Sequence, residues 1–163
     1  MHMHDVILAA LLLSVAPTTY AQEWEAYGPG QIADVVEENL TSVLQTDHGT
    51  PYWTISGNSF PRRATLQYMG ESRPIGEIRR EVIRRWAKAF RRPELMVDMF
   101  DREYLFRENG VDYWMPVQTK VAAYFDDELT VGGPVELFVA WLGAHDAGEG
   151  VTWVFIVNEF TAP

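Results

Sequence analysis

Arg102–Gln118 reads REYLFRENGVDYWMPVQ, and the dipeptide at its centre decides the fold. Asn109-Gly110 is the pair favoured where both central residues of a two-residue hairpin turn take positive φ. Folding the stretch about it sets Glu108 against Val111, Arg107 against Asp112, Phe106 against Tyr113, Leu105 against Trp114 and Tyr104 against Met115. One of these pairs is of opposite charge and three are apolar. Cross-strand energetics favour both kinds, at about 0.2–1 kcal/mol each. The stretch is therefore a β-hairpin, and a lone hairpin needs further strands or a helix to hold it.

Two more strands lie downstream. Val135–Gly143 and Val151–Phe160 are joined by the turn-rich HDAGEG of 145–150. Both are apolar on both faces: Val151, Trp153, Phe155 and Val157 alternate with Val154 and Ile156. Such strands belong in a sheet covered on both sides. Upstream, Tyr52–Ser56 and Arg63–Met69 read as short strands with Gly57-Asn58-Ser59 turning between them, and Pro61 suits a strand start.

Helices supply the cover. Residues 31–46 place Ile32, Val35, Val36, Leu40, Val43 and Leu44 on one stripe, with Asp34, Glu37 and Glu38 off it and Gly49 as the stop. Residues 77–92 place Ile78, Val82, Ile83, Trp86, Ala89 and Phe90 in one arc. Val117–Leu129 fits a helix with Pro116 near its first turn, and also fits an alternating strand; we read it as helix. The order is helix, two strands, helix, hairpin, helix, hairpin. It predicts an α+β fold, an antiparallel sheet of five to six strands packed by two to four helices. Two architectures suit that order. One is a cone-shaped sheet, which resembles the nuclear transport factor 2 and cystatin folds in element order alone. The other is a small open barrel. The resemblance rests on no residue motif, and no function follows from it.

Val6–Ala16, VILAALLLSVA, is too short to span a bilayer and has the length of a signal-peptide core. Thr19-Tyr20-Ala21 places cleavage after Ala21, although the leader MHMHD carries no Lys or Arg. Residues 1–21 are expected to be a signal peptide and 22–163 a single globular domain, periplasmic or extracellular. The chain has no cysteine, which excludes disulfides, thiolate metal sites and a cysteine nucleophile.

The formal net charge is −10, yet residues 62–92 hold ten of the 13 basic residues and three acids, Glu71, Glu77 and Glu81. Within them Arg80, Arg84, Arg85, Lys88, Arg91 and Arg92 lie opposite the apolar arc. Such a face is either solvated and balanced by acids such as Asp126-Asp127-Glu128, or it is a surface for an anionic partner such as a membrane. On the second reading Arg80, Arg84, Lys88 and Arg91 point outward together. Export and the acidic balance argue against nucleic acid.

Motifs for serine hydrolases, zinc hydrolases and nucleotide-phosphate loops are missing from the sequence, and no metal or cofactor is implied. His48 and His145 each adjoin an aspartate in a loop and read as exposed turn residues. Asn158 and Glu159 are sharper, because they interrupt a strand apolar on both faces. Alternation puts Glu159 on the face of Trp153, Phe155 and Val157, where a carboxylate needs a partner or water. With Tyr113, Trp114 and Trp141 as walls, these residues outline an aromatic pocket. The leading expectation is a non-enzymatic binding module for a small molecule or protein, acting through that concave face or through the basic helix. The alternatives are a small enzyme with Glu159 or Asp112 as general acid or base, and a structural subunit of a homodimer. Monomer and homodimer both stay open.

Overall fold

The Asn109-Gly110 hairpin forms in the register that its sequence dictates. In the computed structural model, which describes residues 24–44 and 51–163, Asn109 has φ 49° and Gly110 φ 83°. β4 (Arg102–Glu108) and β5 (Val111–Val117) pair from Glu108↔Val111 to Arg102↔Val117. The leader and its cleavage site, the end of the first helix with Gly49, and His48 lie outside the described residues. The turn also docks the first helix, α1 (Ile32–Val43). The backbone N–H groups of Ile32 and Ala33 donate to the two carboxylate oxygens of Glu108, each at 3.1 Å. They are among the donors that a helix start leaves unpaired, at its positive end. Asn109 Nδ2 adds a bond to Gln31 Oε1 at 3.3 Å.

Gly110 has open space where a Cβ would sit, so its requirement is one of φ alone. Gly110→Val is therefore expected to destabilise the protein by about 1–2 kcal/mol. Urea unfolding measures it, and an unchanged midpoint would show that the turn conformation is not required.

The chain is α+β, and the described residues form a mixed sheet of seven strands and four helices. The remaining strands are β1 (Gly28–Pro29), β2 (Tyr52–Ile55), β3 (Arg62–Pro74), β6 (Pro134–Asp146) and β7 (Val151–Thr161). Beside α1 stand α2 (Glu77–Ala89), α3 (Thr119–Ala122) and α4 (Phe125–Glu128), and a 3-10 turn spans Glu94–Met99. The strand order is β1-β3-β4-β5-β7-β6-β2, and β3 also pairs with β6. The pairings β3–β4–β5–β7–β6–β3 thus run in a circuit.

Four sequence expectations change here. Seven strands replace five to six, because the two-residue β1 is too short to leave a periodic pattern. The sheet is mixed rather than antiparallel: β1 runs parallel to β3, and β5 meets β7 in parallel at Val117↔Val157. β2 and β3 do not form a hairpin. Both line one edge of β6, β2 against Gly143–Asp146 and β3 against Pro134–Val139, with the loop between them bridging the gap. In that loop Ser59 O accepts the Trp141 N–H at 2.7 Å. Pro116 belongs to β5, opposite Glu103, rather than to a helix start. The helix reading of the following stretch gives two short turns, α3 and α4.

The two-sided apolar pattern of β6 and β7 is explained by two cores. Leu137, Val139, Trp141, Phe155 and Val157 face inward with Phe106, Met115 and Phe125. Ala140, Leu142, Val154 and Ile156 face outward beneath α2, which buries Val82, Ile83 and Ala87 with Phe100. The buried face of α2 is centred on those residues rather than on the whole predicted arc, since Ile78, Ala89 and Phe90 are exposed. His145 is buried at the end of β6 rather than exposed in a turn, and its ring stacks on Trp53 at 4.0 Å.

Candidate functional site

α2 ends at Ala89 with Phe90 as its cap, and after Pro93 the 3-10 turn packs alongside it. The two segments enclose a groove of about 780 Å3. Arg80, Arg84 and Lys88 line it at four-residue spacing, and Arg91 and Arg92 close its end. Glu94 and Asp98 are the acids in its wall, so five cations face two carboxylates. Arg84 and Arg85 are drawn to Glu81 on their own helix. Among the described residues Arg80, Lys88 and Arg91 make no ion pair. Asp126 lies elsewhere, near Tyr68 and Tyr104, where burial first and then this carboxylate raise the phenol pKa.

The helix end is strained in the basic residues' favour. Arg91 takes φ 51°, a left-handed conformation that helices usually assign to glycine. The Arg92 N–H then closes on Ala87 O at 2.7 Å. The rim is apolar as well as basic. Leu95, in the groove wall, is 73% exposed, and Phe90, stacked on Trp86, is 40% exposed.

The aromatic candidates do not wall a pocket: three of them pack in the inner core and Trp114 stands apart from them. Trp141 is 2% exposed and lies in the inner core, where its indole N–H donates to Gly143 O at 2.8 Å. Trp153 stacks on it at 5.6 Å, and Tyr113 packs against the same core. Trp114 sits on the outer face of the hairpin, with the Arg73 guanidinium 3.9 Å from its ring centre. The inner face is filled by Tyr68, Phe106, Phe125 and Trp141.

Glu159 does not continue the face of Phe155 and Val157. Val157 pairs with Val139 while Glu159 pairs with Phe138, so a bulge at Asn158 inserts one residue and reverses the alternation. Phe160 takes the inward place with Leu137, and Glu159 turns outward. One of its carboxylate oxygens accepts the Phe160 N–H at 3.0 Å. Asn158 accepts from Gln118 Nε2 at 2.9 Å and donates to the Tyr27 hydroxyl at 2.8 Å. Asp112 forms a two-pronged pair with Arg107 at 2.6 and 3.1 Å, as the hairpin register requires. The hydrogen bond from Arg107 holds its pKa below the usual carboxylate value.

Sequence reasoning reached four of the five groove cations as a set. It missed Leu95, Glu94 and Asp98, which enter the groove only because the chain folds back after Pro93. Comparison with family models, with curated proteins and with solved structures gives no match.

Proposed function

We propose that this protein is an exported, non-enzymatic binding module that docks reversibly on an anionic lipid surface through the α2 groove. The observation that carries this reading is the convergence of Arg80, Arg84, Lys88, Arg91 and Arg92 around one groove with an exposed Leu95 in its wall. A basic residue at an anionic bilayer contributes about 1 kcal/mol. Four outward cations thus supply about 4 kcal/mol, which corresponds to millimolar binding, and the Leu95 side chain adds apolar burial. The rest of the chain is acidic, so repulsion elsewhere orients the protein with this face to the membrane. We infer further that the scaffold is a small closed barrel rather than a cone-shaped sheet, a reading supported by the circuit of strand pairings.

The protein is expected to sediment with phosphatidylglycerol-containing vesicles at low salt and to release at high salt, because exposed charges are screened over about 10 Å at 0.1 M ionic strength. Replacing Arg80, Arg84, Lys88 and Arg91 together by Gln is expected to abolish sedimentation while leaving the unfolding midpoint nearly unchanged. Binding that survives the fourfold change, or no binding by the parent protein, would refute the reading.

A further inference from the structure

The acids of α4 do not cover the basic face of α2 within one chain. Asp126, Asp127 and Glu128 are exposed, make no ion pair among the described residues and do not line the α2 groove. Phe125 anchors α4 in the inner core, whereas α2 covers the outer one with Val82 and Ile83. The acids and the groove thus belong to different layers of the fold. Both surfaces are apolar as well as charged. The most exposed large apolar side chains among the described residues are Leu95 at 73%, Val131 at 68% and Tyr124 at 57%. Leu95 stands in the wall of the basic groove, and Tyr124 and Val131 flank the three acids in sequence. Exposed apolar groups rimmed by charge mark contact surfaces, and surfaces of opposite sign steer each other together.

We propose that the α2 groove also receives α4 of a second copy of this chain, the three acids meeting the groove cations while Tyr124 and Val131 cover Leu95. The inference rests on the reading of the groove as the docking surface of the protein, and it adds a regulation of that site. A copy seated in the groove excludes lipid from it, so self-association and lipid docking compete, and bilayer binding per molecule falls as protein concentration rises. Complementary charge selects the second copy as occupant. Five cations and two carboxylates line the groove, and α4 offers three carboxylates with an apolar residue on either side. The formal net charge of −10 repels copies in every other orientation. The contact is therefore head to tail, groove against α4, and it is weak and salt-sensitive.

Sedimentation equilibrium without lipid tests it. The weight-average mass of the parent is expected to rise with protein concentration at about 0.02 M salt and to return to that of the monomer at about 0.5 M. Asp126→Asn, Asp127→Asn and Glu128→Gln together are expected to weaken self-association about tenfold, since each exposed ion pair contributes little alone. The fourfold Gln variant of the groove should lose it as well. All three acids are exposed, so an unchanged unfolding midpoint confirms that the fold is kept. The decisive arm mixes the two variants in equal amounts. One supplies an intact groove and the other an intact α4, so the mixture should associate although neither does alone. The proposal fails if the parent stays monomeric at low salt, if association survives the loss of the three acids, or if the mixture does not associate. A parent that self-associates but ignores anionic vesicles supports this inference and refutes the lipid reading, and a parent that binds vesicles but stays monomeric does the reverse.

Discussion

Gly143→Ala is expected to destabilise the protein by about 3–5 kcal/mol, from backbone strain and steric overlap together. Gly143 has φ 154° and pairs with Ile55 of β2. A Cβ placed there would stand 2.0 Å from Thr54 O and 3.1 Å from Thr54 C. Those are backbone atoms in a paired strand, so no rotamer change relieves the overlap, and β2 must move away from β6. That movement would unstack Trp53 from His145 and from Arg85 of α2, whose guanidinium lies 4.6 Å from the Trp53 ring centre. The glycine also serves a register shift. Between Trp141 and Gly143 the pairing with β7 slips by one residue at Leu142. Ala144 therefore returns to the inner core, although Leu142, two residues earlier, lies in the outer one. Urea unfolding gives the energy, and amide exchange along β2 shows where it is lost. A cost below about 1 kcal/mol, an ordinary value for a surface change, would mean that β2 does not bear on β6 as closely as these distances require.

The same register shifts mark where sequence reasoning stopped. The hairpin at Asn109-Gly110 was legible because turn, register and side-chain pairs all lie within 17 residues and agree with one another. The two-sided character of β6 and β7 was legible because hydrophobic composition does not depend on knowing the partner. The face of Glu159 was not legible: alternation carries a face assignment forward only until a bulge, and the bulge at Asn158 is fixed by what β6, Gln118 and Tyr27 offer it. His145 read as a turn residue because Gly148 and Gly150 follow closely, yet pairing with β2 extends β6 through it. The four groove cations were legible as a face because helical spacing is local. What stands across from them was not, because a turn after Pro93 has no periodic signature.

Glu103 is the least legible residue of consequence, and its replacement is expected to cost about as much as a buried charge left unpaired, about 3–5 kcal/mol. Nothing in Arg102-Glu103-Tyr104 suggests burial, yet Glu103 is 1% exposed on the outer face of β4. Arg73 of β3, its cross-strand neighbour, forms an ion pair with it. Arg79 of α2 approaches its other oxygen at 3.3 Å. Burial lowers the pKa of Arg79, and the Glu103 charge pulls it back. Glu103→Leu restores apolar volume but leaves the partly buried Arg79 without its counter-charge, so it should destabilise nearly as much as Glu103→Ala. Changing Arg73 and Arg79 to Met in the Glu103→Leu background should recover most of the loss, since replacing a buried charge together with its partners by apolar side chains is often neutral or stabilising. The comparison separates two roles. If the cluster only adds stability, the triple variant binds anionic vesicles as the parent does. If it sets the rotation of α2, the triple variant is stable but binds less. Arg79 and Arg80 are adjacent, about 100° apart around the helix, so the contact that draws Arg79 to the sheet is also what turns Arg80, Arg84 and Lys88 into the groove. We expect weaker binding, and a single Glu103→Leu cost below about 1 kcal/mol would show that the arginines reach water without their partner.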